Sequence, residues 1–426
     1  MKKLFALALA LCIAMTMVSV VASAEGGKVY YLNFKPEADQ AWQDLAKKYT
    51  EQTGVEVKVV TAASGQYATT LTSEMDKGDA APTLFQIGNA EGVATWNDYA
   101  LPLDDTDLIK EMTTADFNLK NADGATVAVG YCYEAYGIIT NKALLEKAGY
   151  TVADIKDFES LKKVADDVHA RAAELGFDAF TSAGLDGSSS WRFSGHLTNM
   201  PLFYEFRDDG ITEQPAAVKG SYLDAYKNIW DLYVADSAAD AKKLSGYTGD
   251  QAEAEFGEGK AVFFQNGTWE FSGLTGEKYG MNPDDLAMLP IYCGVEGEEN
   301  AAVCAGTENC WAVNAKASEE DIKATLDFLC WVVTSEEGTE MMAKEFGPIP
   351  FKAAKASDNV FFNDANDQLS AGKYVVTWAF NYTPDVDNWR AGIVSALEQY
   401  SAGEADWGEV EYAFVDGWAT CYANTH

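Results

Sequence analysis

Three tryptophans stand where no helical or alternating stripe accounts for them. Trp191 follows Ser188-Ser189-Ser190, Trp269 follows Asn266-Gly267, and Trp389 follows Pro384-Asp385-Val386-Asp387-Asn388. Each has Asn, Ser, Glu or Arg beside it. That combination suits a saccharide. The C–H face of a pyranose lies flat on an indole, and its rim of hydroxyls takes forked hydrogen bonds from planar polar side chains. A single loop Trp is as often packing as ligand contact, so the weight rests on the three together. Trp42, Trp230 and Trp331 instead fall on helical apolar faces and read as core.

Other chemistry finds little support. The histidines His169, His196 and His426 are scattered, with no H-E-x-x-H spacing. There is no G-x-S-x-G elbow, no phosphate loop and no G-x-G-x-x-G. Beyond residue 24 the cysteines are Cys132, Cys293, Cys304, Cys310, Cys330 and Cys421, none in a C-x-x-C, so a zinc site fails on spacing. In "CGVEGEENAAVC" the Gly/Glu/Asn-rich middle reads as a hairpin turn, and a Cys293–Cys304 disulfide is the one pairing expected. Acid pairs are plentiful. A glycosidase therefore stays open, because its carboxylates are defined by separation in space.

The chain has 426 residues and a net charge of −35. Residues 1–24 start with two lysines, run apolar from Leu4 to Val21 and close on Ala22-Ser23-Ala24. This is a secretory signal peptide pattern, favoured over an uncleaved anchor because small residues end the run. Leu11 before Cys12 is larger than a lipoprotein signal wants, so cleavage before Glu25 is expected. Removing Lys2 and Lys3, with no acid in 1–24, takes the charge from −35 to −37. Such a field repels nucleic acid and anionic lipid. The 402 residues left (426 − 24) suit two domains.

The aromatic and polar groups need a scaffold, and the N-terminal half supplies one. A strand at 28–33 precedes a helix at 37–52, with Ala41, Trp42, Leu45, Ala46 and Tyr49 on one face and Gly54 as its stop. Val55, Val57 and Val59 alternate as a strand, a helix fits 67–77, and "PTLFQIG" at 82–88 is a buried strand. This β-α-β-α-β order predicts a parallel sheet with ligands at the carboxyl ends of its strands. Those ends are Asn33-Phe34-Lys35, Ala62-Ala63-Ser64 and Gly88-Asn89-Ala90-Glu91. Later, "GKAVFFQNGTWEF" reads as a strand at 261–264 turning at Asn266-Gly267. Ser318 caps a helix whose buried stripe is Ile322, Leu326, Leu329, Cys330 and Val333, and Ser335 opens another that stops near Gly347-Pro348. No linker separates two domains, so the chain is expected to cross between them more than once.

In order along the chain, "YEAYGIITNKALLEKAGY", "FGEGKAVFFQNGTWE" and "WAVNAKASEEDIKATLDFLCWVVTSEEG…FGPIP" resemble segments of the extracellular solute-binding proteins of ABC sugar importers, the group that includes maltodextrin-binding protein. Thr140 stands where that signature usually has Tyr, Cys132 is atypical, and Gln86 replaces an aromatic. The resemblance implies an α/β fold of two lobes, the type II periplasmic-binding-protein fold, closing about a hinge. By resemblance the chain crosses near 131–134, 304–309 and 346–350. Residues 25–132 and 307–346 would form the first lobe, and 133–306 and 347–426 the second. Trp269 would floor the cleft, Trp389 would stack on sugar, and Glu134 at the hinge would accept from hydroxyls. Lys35 and Asn89 would be polar contacts of the first lobe, with Trp191 and Tyr67 placed by loop position. The implied protein is not an enzyme. It is exported, periplasmic or at the outer face of the cytoplasmic membrane, is expected to be monomeric, and needs no cofactor. Its partners would be a mono- or oligosaccharide ligand, with a neutral oligosaccharide favoured, and the importer's membrane subunits. A polyamine binder and a secreted glycoside hydrolase are the alternatives.

Overall fold

A computed structural model describes residues 26–426, so the expected signal segment and its cleavage site lie outside the described residues. The first sheet is built from β1 (Val29–Asn33), β2 (Val57–Thr61), β3 (Leu84–Ile87), β4 (Leu119–Lys120), β5 (Thr126–Gly130) and β11 (Cys310–Val313), in the order β2-β1-β3-β11-β5-β4. The second holds β6 (Glu134–Asn141), β7 (Asp178–Phe180), β8 (Ala261–Gly267), β10 (Ala301–Gly306) and β12 (Tyr374–Thr377), in the order β12-β10-β6-β8-β7, with β9 (Leu286–Leu289) also on β6.

β1 pairs in parallel with both β2 and β3, as the alternating strands and helices require. Asp39–Thr53 buries Trp42, Leu45, Ala46 and Tyr49, and Gly54 ends it in the left-handed region. Each sheet is covered on both faces. In the first, Tyr31 and Trp311 join one apolar cluster while their neighbours Leu32 and Cys310 join another. In the second, Tyr136 and Ile138 face one way and Ala135 and Ile139 the other. Period-two alternation along central strands thus makes a layered α/β lobe around each sheet.

The chain passes from the first sheet to the second between β5 and β6, and returns between β10 and β11. The N–H of Tyr131 donates to the carbonyl of Asn309 (3.0 Å), which ties these two passages together.

Two local expectations need correcting. Cys293 and Cys304 are not bridged, and all six cysteines among the described residues are free thiols. The expected hairpin is absent because the Glu298 carboxylate turns back and accepts from the N–H groups of Cys293, Gly294 and Val295. Cys304 instead packs on Met200, and burial pushes its thiol up to about 12. The helix Glu319–Thr334 starts at its Ser318 cap, but its buried face is Ala324, Thr325, Phe328, Leu329, Val332 and Val333. Ile322, Leu326 and Cys330 lie at the edge of the core.

Candidate functional site

The carboxyl end of β1 turns inward. Asn33 accepts from the Lys35 N–H (3.0 Å) and donates to the Lys35 carbonyl (2.7 Å), fixing a tight loop. Lys35 is left only 7% exposed. Its ammonium lies 2.6 Å from Glu134 Oε1, 3.4 Å from Glu37 and 4.9 Å from the centre of the Trp269 ring. Burial alone would lower the Lys35 pKa, but Glu134 and Glu37 more than reverse this and hold it above the ordinary lysine value. Glu134, at the start of β6, uses its second oxygen to accept from Asn309 Nδ2 (2.6 Å). One cation therefore joins the first sheet, both passages between the sheets, and an aromatic ring of the second sheet.

The position of Trp269 depends on a correction at Asn266-Gly267. β8 does not turn there. It continues, pairing Asn266 with Gly137 and Gly267 with Tyr136. Trp269 then precedes the helix Glu270–Thr275 and lies back over the strand. A Cβ on Gly267 would stand 2.2 Å from the indole, so glycine is what lets the ring rest against the backbone. Asn266 Nδ2 donates to Glu270 (2.6 Å), securing the turn beyond.

Around Trp269 an aromatic wall forms. Trp191 has its ring centre 6.0 Å away and His196 5.6 Å away. The Trp191 indole N–H donates to the Ser188 carbonyl (2.8 Å), and His196 stacks on Tyr136 at 3.7 Å. Burial, then Arg390 and Arg192, hold the His196 pKa well below its ordinary value, so the ring is neutral.

Of the residues expected in the cleft, Lys35, Glu134, Trp269 and Trp191 come together. Trp389 does not. It is 2% exposed and packs edge-on against Phe414 and Trp418, with its N–H on the Phe414 carbonyl. In the helix Val386–Ala402 the buried positions are Trp389, Ile393, Ala396 and Leu397, a stripe with helical spacing. The next residue, Arg390, faces Ser194 (3.3 Å) and lies in the field of Glu308. Asn89 is half-buried and its side-chain oxygen caps the helix Ala90–Trp96 through the Gly92 N–H (2.8 Å). Tyr67 bonds to the backbone of Leu32 and Gln86, linking β1 to β3, and its ring meets Phe34 edge-on. Gln86 is buried; its side-chain oxygen accepts from the Tyr31 hydroxyl and the Phe34 N–H, and its amide donates to the Tyr131 hydroxyl. It stiffens the loop that carries Lys35.

His196, Glu308, Asn309 and Arg390 escaped the sequence reading. Burial raises the Glu308 pKa and lowers that of Arg390, each partly offset by the other's charge. No ion pair joins them, so both keep hydrogen-bonding capacity free for a polar ligand. Glu270 is pushed up to about 8 by burial, then by Glu253 and Glu37.

Two lobes joined by crossing strands, with polar strand ends facing an aromatic wall, define the two-lobe class of binding proteins. The chain belongs to the bacterial extracellular solute-binding proteins, whose family profile matches residues 44–368. Among curated proteins no sequence matches. Solved structures share the fold at low identity. RafE in complex with raffinose is 17% identical, covers 93% of this chain and 99% of its own, and has a TM-score of 0.71. A Bacillus licheniformis sugar transporter in complex with stachyose is 16% identical, covering 93% and 100%, with a TM-score of 0.68. The bacterial solute receptor AcbH, whose exclusive preference is for β-D-galactopyranose, is 16% identical, covering 93% and 99%, with a TM-score of 0.71.

Proposed function

We propose that the inter-lobe cleft binds a neutral saccharide, an oligosaccharide by class, and hands it intact to the membrane subunits of an ABC importer. The observation that carries this reading is the wall of Trp269, Trp191 and His196 gathered with the polar groups Lys35, Glu134, Asn309, Glu308 and Arg390. Family membership and the ligands of the similar structures support it. In this reading the lobes are 25–132 with 307–346 and 133–306 with 347–426. The protein works as a monomer, exported to the periplasm or the outer face of the cytoplasmic membrane.

Two features favour a neutral sugar over the alternatives. An ammonium group already fills the box made by Glu134, Glu37 and Trp269, and it is the protein's own Lys35. A polyamine would have to displace it. Both Glu134 oxygens are committed, to Lys35 and Asn309, so Glu134 is a poor candidate for a glycosidase acid or nucleophile.

With Glu270 pushed up to about 8 and so largely protonated near neutral pH, Lys35, Arg192 and Arg390 are still outnumbered by Glu37, Glu134, Glu308 and Asp387. An anionic ligand therefore meets like charge in a desolvated site. In a thermal-shift panel the matching neutral sugar, at 100 times its Kd, is expected to add about 2.7 kcal/mol to stability. The corresponding uronic acid is expected to bind at least about tenfold more weakly, which is about 1.4 kcal/mol. A uronate or spermidine that shifts melting more than every neutral sugar would contradict the reading, as would recovery of cleaved sugar from repurified protein.

A further inference from the structure

A glutamine stands where the second sheet buries an apolar face. Phe263 and Gln265 of β8 point to the same side, and the β6 residues on that side are Tyr136 and Ile138, the latter in register with Gln265. Gln265 has no exposed surface, and its Oε1 is buried without a protein partner. Burying an amide this way is unfavourable unless something is gained from it. Among the described residues its one side-chain hydrogen bond is to His196, whose Nδ1 lies 3.0 Å from the amide nitrogen.

The segment that brings His196 there, Arg192–Leu197, is π-helical, a rare form that recurs at functional sites. Arg192 and His196 both reach β8 from it, and Arg192 Nη1 donates to the Gln265 carbonyl (3.2 Å). The plane of the imidazole is already held. Tyr136 stacks on it at 3.7 Å and 5°, and Trp191 meets it edge-on at 4.9 Å and 82°. What the amide decides is where the ring proton sits. An amide nitrogen only donates, so Nδ1 accepts, and the neutral ring carries its proton on Nε2. The charged groups facing the ring are Arg390 of the helix Val386–Ala402, Arg192 of its own segment and Lys35 of the first lobe. All three are cations and disfavour a second proton. Tyr136, the titratable group stacked on the ring, turns its hydroxyl to the His196 carbonyl (3.5 Å). Gln265 is the ring's only hydrogen-bond partner among the described residues, and Nε2 is not one of the polar atoms sealed from water without a partner. Nε2 therefore keeps contact with solvent, beside the half-buried Trp191 and Trp269 of the cleft wall.

We propose that Gln265 is a positioning residue for ligand binding: it fixes His196 as the Nε2–H tautomer, which presents one N–H to the cleft as a donor to a saccharide oxygen. The proposal rests on the saccharide reading above. A hydroxyl or ring oxygen of a neutral sugar accepts this N–H, whereas an ammonium group at the same point cannot. The opposite tautomer would turn a bare lone pair to the cleft and remove the donor.

Two measurements on the full exported chain test this. Nitrogen-15 spectra of the histidine side chains without ligand, at about pH 8, read the tautomer. His196 is expected to carry its proton on Nε2. His169, whose Nδ1 faces the Asp178 carboxylate (2.7 Å), is the internal reference for the opposite pattern. Gln265→Glu is expected to move the His196 proton to Nδ1, since a carboxylate only accepts. The second measurement is calorimetric titration with raffinose, stachyose, maltotriose, cellotriose, xylotriose and galactose. For whichever sugar binds wild type most tightly, Gln265→Glu is expected to bind at least about tenfold more weakly than wild type at about pH 8. That ratio is expected to shrink at about pH 6, because the new carboxylate favours the imidazolium, which regains an Nε2–H. A wild-type His196 proton on Nδ1 overturns the role of Gln265. A Gln265→Glu ratio that is unchanged between the two pH values, or no weakening at all, overturns the Nε2–H contact while leaving the saccharide reading standing. Silence of every sugar overturns the saccharide reading and this contact with it. If Gln265→Glu does not fold, Gln265→Met keeps the bulk and removes the donor. A mixed His196 tautomer with weakened binding is then expected, and an unmoved tautomer overturns the proposal.

Discussion

Trp269→Ala is expected to lose roughly ten- to hundredfold in saccharide affinity, and Trp389→Ala to lose almost none. The contrast follows from position. Trp269 is half-buried at the cleft, with Lys35 over its face and Trp191 and His196 beside it. Covering such a ring with a ligand is worth roughly 1.5–3 kcal/mol, and each 1.4 kcal/mol is about tenfold in Kd. Trp389 is enclosed by Phe414 and Trp418 in the second lobe. Deleting it leaves a cavity that costs about 3–5 kcal/mol of folding stability. Calorimetric titration and thermal melting of both variants read the two effects separately. A Trp269→Ala protein with wild-type affinity would remove the platform from the account. A Trp389→Ala protein that melts like wild type but no longer binds would restore the stacking role for Trp389.

The second large effect belongs to Lys35 and Glu134. Their charges are 2.6 Å apart with side chains 8% and 6% exposed. Breaking such a pair from one side strands the other charge in a low dielectric, which costs about 3–5 kcal/mol. Lys35→Met and Glu134→Leu are each expected to destabilise strongly. The double variant is expected to destabilise less than either alone, because no charge is left unpartnered. Urea unfolding of the three variants gives the comparison. Single variants as stable as wild type would mean that the pair is solvated in solution and that the cleft stands open without ligand.

Much of the scaffold was legible because its signals are local and periodic. Trp42, Leu45, Ala46 and Tyr49 share one helical face, Gly54 stops the helix, and the strand–helix alternation gives the parallel half of the first sheet, β2-β1-β3, with Lys35 at a strand end. The strands β11, β5 and β4 continue that sheet antiparallel. The site was less legible, and the errors have physical causes. Asn266-Gly267 has turn composition, yet the pair lies in a strand. The glycine serves the Trp269 ring, a tertiary contact that no local pattern encodes. Trp389 was one helical step, about 100°, from the residue that faces the cleft. Counting Ile393, Ala396 and Leu397 would have placed it in the core and turned attention to Arg390. His196 had no such signal, because its segment, Arg192–Leu197, is buried throughout. Glu308 and Asn309 had none either. They matter because the second passage between the lobes brings them beside Glu134 and Lys35. The Cys293–Cys304 expectation failed because a single buried carboxylate, Glu298, organises the turn between them.

The central claim is that a neutral saccharide is held where Lys35 of the first lobe meets Glu134, Trp269 and Trp191 of the second. Such a ligand touches both lobes only when they are closed, so it shifts the population toward the closed form. Small-angle scattering with and without the tightest-binding neutral saccharide, at saturation, tests this most directly. The radius of gyration is expected to fall on adding the sugar in wild type, and to fall less in Trp269→Ala at the same concentration. An unchanged radius in wild type, with the sugar demonstrably bound, would contradict the clamp.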